Sequence, residues 1–127
     1  MDHHHQHEDL IQSITKDYQD ILENSSQGIY IFLDDMNKVC NKKFATLLGY
    51  KSEDEWAKIN ASFPDTFVDP ESQETLISAF QNAMDKRIGS TNKIVWKKKD
   101  GGTLKSTVIL VPVVHEDHLF ALHFISV

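Results

Sequence analysis

Residues 39–50 read Val39-Cys40-Asn41-Lys42-Lys43-Phe44-Ala45-Thr46-Leu47-Leu48-Gly49-Tyr50, a strand end, a helix start and a helix stop in one short stretch. Asn41 carries a side-chain oxygen suited to an N-cap, so a short helix follows the brief strand at Val39 and Cys40. Phe44, Leu47 and Leu48 form its apolar face, and Gly49 stands where a left-handed residue ends a helix. Upstream, Ser25-Ser26-Gln27-Gly28 is a break, and 29–33 is a short β-favouring run closed by the turn formers Asp34, Asp35 and Asn37. The two strands therefore make a hairpin.

Downstream, Ser52 and Glu55 have the spacing of a capping box, opening a helical turn that carries Trp56 and Ile59 inward. Phe63, Pro64, Phe67 and Val68 form an apolar connector. Asp69-Pro70 then supplies an N-cap and a first helical residue, and Leu76, Ile77, Phe80, Ala83 and Met84 make one stripe until Lys86, Arg87 and Gly89 close the helix. The runs 93–98, 104–114 and 119–127 are strand-like, separated by Asp100-Gly101-Gly102 and His115-Glu116-Asp117-His118, and should form an antiparallel meander. At the other end, Ile11, Ile14, Tyr18, Ile21 and Leu22 recur at helical spacing, which predicts an amphipathic helix over 8–24. Residues 1–7, with His3, His4, His5 and His7, read as a flexible tail or a purification-tag remnant, and 25–127 as the core domain. The element order is that of an α+β protein whose five-stranded sheet draws strands from both ends of the chain.

Composition agrees with one globular domain: 127 residues, 40% hydrophobic, 25% charged and three prolines. A net charge of −6, from 13 basic and 19 acidic residues, argues against nucleic acid as the main partner. The single cysteine, Cys40, cannot pair within the chain, which fits a reducing compartment. No apolar run approaches a membrane span and no secretory signal pattern opens the chain, so a cytoplasmic protein without membrane contact is expected.

The order of these features resembles the PAS family of sensory domains over roughly residues 21–127. Its carriers are Gly28-Ile29-Tyr30-Ile31, the "strand, Asn, helix, Gly-Tyr" run at 39–50, Phe67-Val68-Asp69-Pro70 before the long helix, and the hairpin at Lys97-Lys98-Lys99-Asp100-Gly101-Gly102. The chain ends at Phe124-Ile125-Ser126-Val127 without the Asp-Ile-Thr-like continuation of many members, so no attached output domain is expected. The resemblance implies a cupped antiparallel sheet of order 2-1-5-4-3 with helices over its inner face, enclosing a core or a ligand cavity.

On that frame, strand parity assigns faces. We place Ile29, Ile31 and Leu33 toward the helices and Tyr30 and Phe32 away from them. Ile94, Trp96, Ser106, Val108, Leu110, Ala121, His123 and Ile125 are assigned inward, and Ile109, Val111, Val113, Phe120, Leu122 and Phe124 outward. The expected cavity lining is Ile31, Leu33, Trp96, Ser106, Val108, Ala121 and His123. His123 is the polar residue of interest, either a ligand contact or a core imidazole bonded to backbone, and Trp96 either stacks on a ring or fills the core.

The outer face is unusually apolar for a sheet with one side in water. Either the N-terminal helix covers it or two chains share it, and the homodimer is the expectation, as PAS domains often dimerise through this helix and face. Its contact residues would be Ile11, Ile14, Tyr18, Ile21, Tyr30, Phe32, Ile109, Val111, Phe120, Leu122 and Phe124. A signalling partner protein or a small-molecule ligand is the further partner expected.

No catalytic motif is present: no nucleophile elbow, phosphate-binding loop or His-Glu-x-x-His. Glu53, Asp54 and Glu55 suit a helix N-terminus. His115 and His118 around Glu116 and Asp117 could chelate a metal weakly but read by default as a solvated hairpin, and Lys97, Lys98 and Lys99 as a solvent-facing strand end, so no metal site is expected. Cys40 lies at the second strand, away from the helical connector where light-sensing members carry their flavin-reactive cysteine, and residues 69–86 hold no histidine of the kind haem-binding members use. The cofactor is unknown. The reading is a non-enzymatic sensory module, or alternatively a constitutive dimerisation and interaction module with a filled core.

Overall fold

The structure, a computed structural model, describes the backbone of residues 3–127 and side chains from residue 7 onward. Its elements run α1 (His3–Asp17), α2 (Gln19–Asn24), β1 (Gly28–Phe32), β2 (Lys38–Cys40), α3 (Lys42–Leu47), α4 (Glu53–Ala57), α5 (Phe63–Phe67), α6 (Pro70–Lys86), β3 (Ser90–Lys97), β4 (Thr103–His115) and β5 (His118–Ser126). The strands form one antiparallel sheet in the order β2-β1-β5-β4-β3, as expected. Among the described residues no helix is long and apolar enough to cross a membrane.

Asn41 ties the first half together. Its Oδ1 accepts from Phe44 N at 3.0 Å, capping α3, and from Ile29 N at 3.0 Å, while its Nδ2 donates to Gln27 O at 2.9 Å. One side chain thus joins the start of α3 to β1. The helix stops as the sequence indicates: Gly49 takes φ 88°, Gly49 N donates to Thr46 O, and Tyr50 N donates to Ala45 O, a Schellman motif. Gly28 matters for space, because a Cβ there would lie 3.3 Å from Phe44.

Ser52 Oγ caps α4 by accepting from Glu55 N at 3.1 Å, and Asp69 caps α6 by accepting from Glu71 N at 3.2 Å. One detail differs from expectation. The apolar connector is helical (α5), with Pro64 in its first turn and Phe63 N bonded to Asp35 Oδ1 at 2.9 Å. Helix α6 closes within the expected stretch, at Arg87 in the left-handed conformation (φ 55°). Glu116 and Asp117, both at positive φ, make the two-residue turn between the paired His115 and His118.

The N-terminal segment also departs from the sequence reading. Helix begins at His3, not at residue 8, and His7 lies against the Asp34 carboxylate, so the expected tail shrinks; the part of it at 1–2 lies outside the described residues. The helix breaks at Tyr18, although Tyr18 N→Ile14 O and Leu22 N→Tyr18 O carry the hydrogen bonding across. Its apolar stripe packs on the outer sheet face of the same chain. Leu10, Ile14 and Leu22 are buried with Ile29, Ile31, Phe120 and Leu122.

The face assignment for β1 is reversed. Tyr30 pairs with His123 and Phe32 with Ala121, and directly opposed residues of an antiparallel pair share a face, so Tyr30 and Phe32 point inward. Ile31 and Leu33 lie instead in the cluster under α1 and α2. Every residue of Gly28-Ile29-Tyr30-Ile31-Phe32 is buried or half-buried, so alternation gives no signal; only register with β5 settles the face.

Candidate functional site

The inner face holds two distinct regions. Toward β3 and α3–α4 it is a packed aromatic core, in which Trp96 and Trp56 are fully buried with Phe44, Phe67 and Val108. Trp96 Nε1 donates to Ser106 Oγ at 2.8 Å and that hydroxyl donates to Ile94 O at 2.9 Å, a closed chain that fixes the indole. Trp96, Ser106 and Val108 therefore lie in packed core and do not line the cavity described below. Ala121 likewise packs against α6 with Ala79, Ala83 and Leu110.

Toward α5 and α6 the packing opens into a cavity of about 210 Å³. Tyr30, Phe32 and His123 form its floor from β1 and β5. Phe63, Pro64 and Val68 close one side, and Leu76, Ile77 and Phe80 of α6 form the roof. Polar groups on the wall are His123, Gln73 and Gln81. Gln73 spends its amide nitrogen on Pro64 O and Val68 O, both at 3.1 Å, and so fastens α5 to α6. Ile77 is 40% exposed, which puts it at the cavity mouth. The space suits one small ring, since an apolar cavity of about 150 Å³ already holds benzene.

Of the residues expected to line this space, His123 does. The others sit in packed core or, for Ile31 and Leu33, on the opposite face. Tyr30 and Phe32, expected outward on strand parity, form the cavity floor. The α6 stripe was legible as a helix face, but its meeting with Phe63 and Pro64 over β1 is a tertiary fact with no local signal.

His123 lies stacked on Tyr30, with ring centroids 3.9 Å apart and planes 11° apart. Its Nδ1 is 3.3 Å from Tyr30 O; a carbonyl can only accept, so Nδ1 carries the proton and Nε2 is the acceptor. Burial pushes the imidazole down to about 3, so it is neutral at neutral pH. Burial also pushes the Tyr30 phenol up. A neutral imidazole beside an apolar, ring-shaped space can accept one hydrogen bond from a ligand and is a poor base at neutral pH.

Sequence reasoning also missed Lys38. It is buried on β2, and its Nζ donates to Asp35 O (2.8 Å), Ala57 O (3.2 Å) and Ile59 O (2.7 Å) while lying 5.3 Å above the Trp56 ring. Burial lowers its pKa. The ammonium satisfies carbonyls left open at the end of α4, so it is a brace for the core. Trp56 Nε1 beneath it is buried without a hydrogen-bond partner among the described residues. Cys40 is buried on the same strand, and burial raises its thiol pKa strongly, which makes it a weak nucleophile.

These features define a class: a cupped antiparallel sheet with helices and a small apolar cavity on one face and a flanking N-terminal helix on the other. The family model described as "PAS domain" matches residues 16–82, and the chain belongs to the PAS domain family. Solved structures agree in fold. The PAS domain of a protein from Colwellia psychrerythraea is 22% identical, with TM-score 0.67, and the match covers 89% of this chain and 95% of that one. The PAS domain of the HTR-like protein from Haloarcula marismortui is 21% identical, with TM-score 0.61, covering 95% and 97%. A domain of a sensory box sensor histidine kinase/response regulator from Geobacter sulfurreducens is 12% identical, with TM-score 0.62, covering 87% and 92%. No curated protein matches the chain significantly.

Proposed function

We propose that this PAS domain is a non-catalytic cytoplasmic sensor that takes a small, largely apolar ring compound into the cavity beside His123 and signals through its N-terminal helices. The observation that carries the reading is the cavity itself, about 210 Å³ of apolar space with a neutral buried imidazole in its wall. Coupling runs through two strands with two faces. Tyr30 and His123 meet the ligand, while their chain neighbours Ile29, Ile31, Leu122 and Phe124 meet α1 and α2 on the other side. A ligand that binds better when the helices are docked, or when they are free, shifts that equilibrium by its differential affinity. When α1 leaves its face, the uncovered Ile31, Phe120 and Leu122 offer an apolar surface to a second copy or to a signalling partner, which is how homodimerisation enters the mechanism.

The filled aromatic core around Trp56 and Trp96 supports a second reading, a constitutive interaction module that holds no ligand. Native mass spectrometry against the denatured mass separates the two. The sensor reading expects extra noncovalent mass, or binding of added indole as a probe, and expects both to be lost in Leu76→Trp, which fills the cavity. No bound mass and no indole binding by the unaltered protein would favour the interaction module.

A further inference from the structure

Away from the cavity, side chains from two distant parts of the chain converge at one end of the outer face. His115, the last residue of β4, has a side chain only 9% exposed. Its Nε2 lies 3.6 Å from Asp17 Oδ2 on the last residue of α1, and 3.9 Å from Glu116 Oε2 in the hairpin turn. Ser13 Oγ, one helical turn before Asp17, is 3.1 Å from the same Nε2 and 3.3 Å from Glu116 Oε1. Ligand atoms of Asp17, His115 and Glu116 all lie within 4.8 Å of one another.

The imidazole-to-carboxylate separations are longer than hydrogen bonds, so the carboxylates flank the imidazole nitrogen without bonding to it. Around a divalent ion with bonds of about 2.0–2.2 Å, tetrahedral neighbours stand about 3.3–3.6 Å apart. The Asp17 separation already falls at the edge of that range and the Glu116 one about 0.3 Å beyond it, while the two carboxylates, within 4.8 Å of each other, close by rotating their exposed side chains. A dication held by two carboxylates and one imidazole nitrogen has its charge balanced by the carboxylates. Imidazole with carboxylates and no thiolate suits zinc, whereas calcium and magnesium favour oxygen-only sets. We propose that Asp17, His115 and Glu116 form a zinc site that fastens α1 to the β4–β5 hairpin, the ion displacing the Ser13 hydroxyl from its hydrogen bond with His115 Nε2 and taking solvent in the remaining position. Because Asp17 comes from α1 and the other two from the hairpin, only the docked arrangement assembles the site. Zinc then stabilises docking by mass action.

The test uses the full chain with His3, His4 and His5 replaced by Asn, which removes imidazoles at the start of α1 as competing ligands. Zinc titrated at pH 7.5 by calorimetry should bind one ion per chain, raise the melting temperature and slow hydrogen exchange in residues 10–22. Asp17 and Glu116 are surface carboxylates, so the double variant D17N/E116Q keeps the fold; it should weaken zinc binding at least tenfold and remove the thermal shift. D117N deletes a neighbouring charge in the same turn and should leave both unchanged. Absence of one-to-one binding, binding undiminished in D17N/E116Q, or an equal loss in D117N would overturn the proposal.

Discussion

The imidazole of His123 lies face to face with the Tyr30 phenol ring, 3.9 Å between centroids, on directly opposed residues of β5 and β1. The pair forms the floor of the cavity and is also the middle of the two strands that carry α1 and α2 on their reverse side. A change at the pair is therefore one peptide away from the helix contact.

The buried imidazole makes folding sensitive to acid. Its folded pKa, about 3, lies below the ordinary 6.5, so the unfolded chain binds the proton more readily between those values and stability falls as pH falls. Between pH 6 and 5, where carboxylates remain ionised, the stability of the unaltered protein should drop toward the limiting slope of about 1.4 kcal/mol per pH unit. Denaturant unfolding at stepped pH checks this, and His123→Gln should flatten the slope in that window.

Asn41 satisfies three backbone groups, one each in α3, in β1 and in the loop before β1. Asn41→Ala removes the α3 cap and orphans Ile29 N and Gln27 O, so we expect a loss of about 2–4 kcal/mol by denaturant unfolding. Lys42→Ala, at an exposed position beside it, should change stability by less than about 0.5 kcal/mol.

Ser106 holds the Trp96 indole. Ser106→Ala leaves a buried N–H unpaired and should cost about 1–3 kcal/mol. As Ser106 does not line the cavity, indole affinity measured by calorimetry should stay within about twofold, whereas a lining role would change it.

Ile14 is fully buried between α1 and the sheet. Ile14→Asp places a charge there and should release α1, raising hydrogen exchange over residues 10–22 at least tenfold. Light scattering should then show self-association through the uncovered face, while near-ultraviolet circular dichroism of the Trp56 and Trp96 core persists.

Much of this architecture is legible in local sequence. Helix α6 announces itself through Asp69-Pro70 and a stripe at helical spacing, and α3 through Asn41 and Gly49, because caps and periodicity act within a few residues. The sheet order followed from the family resemblance. What stayed hidden depends on distant contacts: the face of β1, where apolar residues occupy both sides; the Lys38 brace, whose carbonyl partners lie on another element; and the helical form of 63–67. The outer face is apolar enough to require a cover, and strand patterning with the family resemblance left the N-terminal helix or a second chain as its cover. Within the chain, α1 and α2 lie on it through Leu10, Ile14 and Leu22. Asp17 likewise meets His115 only once α1 has docked.

The central claim is that cavity occupancy beside His123 and docking of α1 and α2 are coupled through β1 and β5. Hydrogen exchange over residues 10–24, followed by mass spectrometry with and without saturating indole, measures this directly. The account predicts a change in protection of α1 and α2 on binding, absent in Leu76→Trp. Protection confined to β1, β5 and α6, with residues 10–24 unchanged at saturation, would contradict it.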